Sequence, residues 1–336
     1  MLVYPRFAGF SAVSGSKEAK LEDEATVAGD VGSHKKVDMK KKSVVTGEVV
    51  SVTGKADVGD DGQVGGNVNA GDEVKLKKRA VVSQSVISGD DIKLEHDSKI
   101  LVDATAAGEV TLKSGASVAG STNAPVTVSP LPDNPLPILS IQAGGSNETI
   151  NENATVPLPP GSYGDVKVKK KGTLQLENGT YIFKKLVVED RGTIEMNVTG
   201  GPILIKVEKD VDLKKETSMV AVGAAPASSG AEDILFQVAG SRVKLGKDGS
   251  YLGTFLAPEG HMDLKDDATL DGAMFGEKVH LKKRSKITGN PALGLLLIAS
   301  AEWQGFFNYN EVLPLLAEET YDGEESVDQK LERFDS

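Results

Sequence analysis

The sequence predicts an all-β fold, a parallel β-helix (β-solenoid) with rungs of about 18 residues in two stacked lobes. Three observations predict it. First, Leu21, Met39, Val58, Leu76, Leu94 and Leu112 recur at near-constant spacing, and each is followed six residues later by Val27, Val45, Val64, Val82, Ile100 and Val118. Second, the residue four after each anchor is small: Ala25, Ser43, Gly62, Ala80, Ser98 and Ala116. Third, apolar residues two before each anchor, at the anchor, and near six and ten after it follow the period-2 alternation of short strands, not a helical 3.6 period. Composition agrees. The 336 residues include 37 Gly and only 5% aromatics, a mix that suits short strands and tight turns.

Each feature has a physical reading. A single rung buries no inner face, so rungs must stack to share a core. The small residue at the fourth position marks a cramped turn. Glycines eight after the anchor (Gly29, Gly47, Gly66 and Gly120) are expected to permit a further bend. Looser copies follow Val168, Val188, Leu213, Leu245, Leu264 and Leu281. Four segments result: a solenoid lobe over 1–121, a Pro-rich connector over 122–160, a second lobe over 161–291, and an apolar, aromatic cap or interface segment with an acidic tail over 292–336. Eight prolines fall between Ser121 and Pro160; proline cannot donate to a strand ladder and stiffens extended backbone. Ile138, Leu139 and Ile141 are expected to pack the connector, and 221–233 reads as an excursion.

The three residues after each anchor form a charge code. Glu22, Asp23 and Glu24 give way to Lys40, Lys41 and Lys42, then Asp60 and Asp61, then Lys77, Lys78 and Arg79, then Glu95 and Asp97. Stacked about 4.8 Å apart, opposite charges attract and a one-rung slip pairs like with like, so the code sets register. The first rung is acidic and the last, Lys282, Lys283 and Arg284, is basic. Head-to-tail self-assembly through these triads is expected, with Trp303, Phe306 and Phe307 in the contact.

Other chemistry finds little support. Without Cys there is no disulfide, thiol nucleophile or thiolate metal site. His34, His96, His261 and His280 show no metal spacing to one another or to carboxylates. Asp57, Asp60 and Asp61 offer oxygen ligands but lack a calcium-binding nonapeptide repeat and lie between cationic rungs. A carbohydrate-active β-helix is a further alternative, but carboxylates arranged in ladders with cations suit stability better than the polysaccharide cleavage such β-helices perform. Ice binding needs flat ranks of Thr, and the stacked turn residues are charged. No catalytic residue, cofactor or metal is expected. Net charge is −11, concentrated in the C-terminal tail; no basic face remains for nucleic acid, and no apolar stretch reaches membrane-spanning length.

The stretches 161–213 and 249–293 resemble a bacterial β-helical domain family found in type IV pilus-associated and other surface proteins. Ala257, Pro258, Gly260, Gly272, Ala273, Gly276 and Lys278 carry that match. The N-terminal FAGFSAVSGSKEAKLEDEATVAGDVGS is similar to the opening of extracellular β-helical adhesion-type domains, and the rung length resembles that of bactofilins. The resemblance implies a structural protein at the cell surface or outside the cell, self-assembling or joined to surface or pilus components; the bactofilin likeness implies a cytoplasmic scaffold as the alternative.

Overall fold

The computed structural model describes residues 11–131, 135–224 and 229–289. Its strands form one parallel β-solenoid. In the regular part each rung has three short strands, such as Val74–Leu76, Val81–Val82 and Val86–Ser88, each directly above its equivalent in the previous rung. No helix among the described residues is long and apolar enough to cross a membrane.

The anchors form a column that gives the order of rungs in space. Ile150 pairs with Val168, and the column continues through Val188, Leu213, Leu245, Leu264 and Leu281. Leu281 then pairs with Leu21, and Leu21 with Met39. From Met39 the rungs rise through Val58, Leu76 and Leu94 to Leu112. The later half of the chain therefore lies beneath the earlier half, and strand Ser11–Leu21 enters in mid-stack. The two predicted lobes are one continuous ladder, and the described rungs belong to one compact unit. The segment 122–160 is not all connector: it supplies strands Thr122–Asn123, Glu148–Ile150 and Thr155–Leu158.

What links the halves is the Pro-rich chain between residues 124 and 147, which forms no strand among its described residues. It leaves the top rung and must reach the bottom one. At about 4.8 Å per rung the column is roughly 58 Å high, and two dozen residues at about 3.1 Å each reach roughly 74 Å. Prolines suit this strap, because an extended segment outside the ladder needs no backbone donors. Pro135, Leu136 and Pro137 line a cavity of about 320 Å³ with Ser14 to Ser16, His34, Val52 and Pro258. Ala143 N–H bonds the Glu208 carboxylate at 3.0 Å. Ile138, expected to pack, is 86% exposed.

One corner explains the small-residue rule. The third residue after the anchor has a positive φ in rung after rung, between 56° and 63° at Glu24, Lys42, Asp61, Arg79, Asp97, Lys171, Arg191, Glu216, Asp248, Asp267 and Arg284. The fourth residue's N–H closes the turn on the first residue's carbonyl, as in Ala25 to Glu22 at 3.1 Å and Gly62 to Gly59 at 3.0 Å. A tight turn with positive φ at its third position points the fourth residue into the core. Its side chain must be small: Ala25, Ala80, Ala268, Ser43, Ser98 and Ser285 are all buried. The serines return their hydroxyls to the same carbonyl, as Ser43 does to Lys40 at 2.7 Å.

Of the glycines eight after the anchor, Gly29 takes the positive φ of a bend, at 136°, while Gly47, Gly66 and Gly120 serve closeness. At Gly47, which has no positive φ, a Cβ would stand 2.0 Å from Asp30 Oδ1 and 2.8 Å from the Gly29 carbonyl oxygen. Next to them runs a side-chain ladder. Asp30 accepts from Glu48 N–H at 2.7 Å, Asn67 from Ser85 N–H at 3.1 Å, and Asp103 from Ser121 N–H at 2.7 Å.

Anchors such as Leu76, Leu94 and Leu264 are fully buried, but Leu112, on the uppermost rung, is 44% exposed. The same substitution therefore reads position in the stack. Leu76→Asp should cost roughly 3–5 kcal/mol, because it places an unpaired charge in a shared core. Leu112→Asp should cost less than about 1 kcal/mol. Urea denaturation of the two variants checks this, and equal losses would contradict the stacking order.

Candidate functional site

The triads expected to join separate molecules meet inside one chain. Glu22 N–H bonds the Leu281 carbonyl at 2.8 Å, and Arg284 N–H bonds the Asp23 carbonyl at 3.1 Å. Strand Thr269–Leu281 pairs with Ser11–Leu21 over two stretches, from Val13 with Met274 to Gly15 with Gly276, and from Glu18 with Lys278 to Leu21 with Leu281. Thr26 and Val27 likewise pair with Lys286 and Ile287. Lys282, Lys283 and Arg284 thus lie directly below Glu22, Asp23 and Glu24, and neither edge is free for a second copy. The complementarity between first and last rungs is a property of this internal joint. Trp303, Phe306 and Phe307, and the cap and tail over 292–336, lie outside the described residues.

Around the joint the charge code holds. Arg284 forms a bidentate pair with Asp267, at 2.6 and 2.8 Å, which with the nearby Glu24 raises the guanidinium pKa further. Arg79 and Asp61 repeat the geometry at 2.6 and 2.8 Å, and Arg191 meets Glu216 at 2.6 Å. Glu216, held by Arg191 and Lys215, titrates at about 2. These pairs sit at exposed corners, where each adds little stability; register is what they supply. On the joint's flank Lys17 bonds Glu277, and this bond holds the Glu277 carboxyl below its ordinary range.

The strand face beside the turn brings together side chains that the sequence keeps apart. Two outward columns cross the joint: His261, Lys278 and Glu18 in one, and Asp263, His280 and Lys20 in the other. His261 Nε2 lies 3.1 Å from His280 Nδ1, and His280 Nε2 lies 3.0 Å from Glu18 Oε2. Asp263 Oδ1 is 3.7 Å from His261 Nε2, while its Oδ2 takes Lys265 Nζ at 2.9 Å. Burial raises the Asp263 carboxyl, but the bond from Lys265 and the charges of Lys265, His261 and Lys282 outweigh it and hold the group ionised below its usual range. Burial also pushes His261 down, helped by His280, Lys278 and Lys282 against Asp263. No metal spacing is visible among the histidines in the sequence. The rung period supplies it: His261 and Asp263 are two apart on one strand, and His280 is one rung further on.

A second feature lies on the strand after the turn. Thr155, Thr173, Thr193, Ser218, Ser250 and Thr269 stack in one outward column. Lys286 continues it, and Thr26 follows across the joint. The looser copies of the repeat, not the charged turns, carry this rank of hydroxyls. The acidic group Asp57, Asp60 and Asp61 is already engaged: Asp57 lies 3.6 Å from Lys36, Asp60 accepts from Lys78 N–H at 3.2 Å, and Asp61 holds Arg79.

An internal joint and a polymer contact respond differently to charge reversal. Replacing Lys282, Lys283 and Arg284 together with Glu should lower Tm by several degrees at low salt, and added salt should shrink the loss. The loss should not depend on protein concentration. Differential scanning calorimetry across salt and concentration checks this, and a Tm that climbs with concentration would indicate an intermolecular contact.

No family model matches the sequence, and no curated protein matches it. Among solved structures, the chain is similar to an ice-binding protein from the Antarctic ascomycete Antarctomyces psychrotrophicus, at 9% identity and a TM-score of 0.37 over 84% of this chain and 99% of that one. It is also similar to an ice-binding protein from an Antarctic bacterium, Flavobacteriaceae, at 10% identity and a TM-score of 0.29 over 83% and 95%.

Proposed function

We propose that the chain is a non-catalytic structural rod of the cell surface or extracellular space that adds further copies of itself end to end. One observation carries this reading: both ends of the described stack are open. Among the described residues, strand Val110–Leu112 pairs only downward with Ile92–Leu94, and strand Glu148–Ile150 pairs only upward with Gly161–Val168. Unpaired edges of parallel strands are templates for another chain. Apolar groups are uncovered at the same places, with Leu112 at 44% exposure on the upper end and Val156 at 37% on the lower. A contact of top on bottom is heterologous, so it propagates unless it closes a ring. The assembly surface belongs to these ends, not to the triads at the joint. Sedimentation velocity over a concentration series should show growing species that the substitution Leu112→Lys suppresses. A monomer at high concentration, at both low and moderate salt, would overturn the reading.

The hydroxyl column supports a second reading. Six Thr and Ser side chains recur at about 4.8 Å along one face, a repeat that a crystalline surface such as ice can match and a single small molecule cannot. An ice-recrystallisation assay tests it: the chain should slow crystal growth, and Thr173→Lys with Thr193→Lys should abolish the effect while leaving Tm unchanged. Growth equal to that in an inert protein control would dismiss this reading.

A further inference from the structure

We propose that His261, Asp263 and His280 form a binding site for one divalent transition-metal ion of the zinc class, with Glu18 orienting His280 from across the internal joint. The inference is independent of the rod and ice readings.

The ligand atoms are already spaced for an ion. One ligand atom each from His261, Asp263 and His280 lie within 4.8 Å of one another, and His261 Nε2 faces both His280 Nδ1 and Asp263 Oδ1. Zinc bonds nitrogen and carboxylate oxygen at about 2.0–2.1 Å, and tetrahedral neighbours are then about 3.3 Å apart. The nitrogen separation of 3.1 Å and the nitrogen-to-oxygen separation of 3.7 Å bracket that value. Two imidazoles and one carboxylate leave a fourth position for water. Two imidazoles with one carboxylate suit zinc, nickel or cobalt better than calcium or magnesium, which prefer all-oxygen shells.

The surroundings are those of a built site. His280 offers Nδ1 inward to the cluster while Nε2 faces the Glu18 carboxylate at 3.0 Å. A carboxylate on the far nitrogen fixes the tautomer that leaves the near one free to ligate. Asp263 divides its two oxygens: Oδ2 keeps Lys265, and Oδ1 faces His261, with Lys282 further off at 3.8 Å. The His280 and Asp263 side chains are 14% and 10% exposed, and that of His261 is 44% exposed, which gives an entry path.

The geometry ties metal to architecture. Two ligands come from strand Ser250–Leu264 and one from Thr269–Leu281, and the orienting carboxylate lies on Ser11–Leu21, the strand that begins the upper half. An ion there braces three consecutive rungs at the joint.

The test uses the full chain, stripped with a chelator and titrated with zinc chloride or cobalt chloride at pH 7.5. One equivalent should bind by calorimetry, cobalt should develop the visible absorption of a low-symmetry four-coordinate site, and Tm should rise. His261→Asn, chosen because this side chain is the most exposed of the three, should keep the apo Tm and lose the cobalt spectrum. Glu18→Gln should weaken binding by about 10–100-fold. Absence of binding, or cobalt absorption unchanged in both His261→Asn and His280→Asn, would overturn the site.

Discussion

Backbone hydrogen bonding between parallel rungs is the constraint on which the rest of this molecule depends. It fixes the rise at about 4.8 Å and places each side chain under its own equivalent. Every position in the rung must then tolerate a near copy of itself above and below. The columns show the solutions: apolar anchors that share one core, small residues under the positive-φ corner, acidic and basic triads that alternate, and Asp or Asn side chains that take the next rung's amide. A column is more exacting than a local turn, since a residue that fits one rung alone must also fit its neighbours.

That ladder ignores chain order. Leu281 hands over to Leu21 as smoothly as Leu76 does to Leu94, and Val13, Ala19 and Leu21 at the joint are as buried as any anchor. The chain closes a very long loop to make this contact, but closure entropy rises only with the logarithm of length, by about 0.6 kcal/mol per doubling. Burying three apolar side chains, at roughly 1–3 kcal/mol each for the larger ones, with a run of ladder bonds, is of a size to offset it. The strap keeps the two halves together and gathers five prolines where no backbone donor is required.

Much of the fold is legible in the sequence. The period, the inward residues and the small fourth position could all be read because a stacked repeat writes its geometry into every copy. The spatial order could not be read, because a period says which residues are equivalent and not which rung lies on which. Complementary end triads were a true signal with two solutions, one between molecules and one within, and only the strap's reach selects the second. Strands Glu148–Ile150 and Thr155–Leu158 were hidden by neighbouring prolines. The histidine cluster escaped because its spacing of two and seventeen residues belongs to this solenoid's period and to no general ligand pattern. The Thr and Ser column escaped because it lies in the looser copies, where insertions blur the offsets.

Entry in mid-stack has a consequence in time. During synthesis the upper half emerges first, and the lower edge of Ser11–Leu21 has no neighbour until residue 281 is made. At about 5–20 residues per second, that wait lasts tens of seconds. Throughout it the nascent chain displays an open strand edge whose proper partner is not yet translated, beside ribosomes making the same sequence. The acidic triad Glu22, Asp23 and Glu24 stands on that edge. Identical edges on neighbouring nascent chains therefore repel one another, which keeps the place vacant for the basic rung that arrives last.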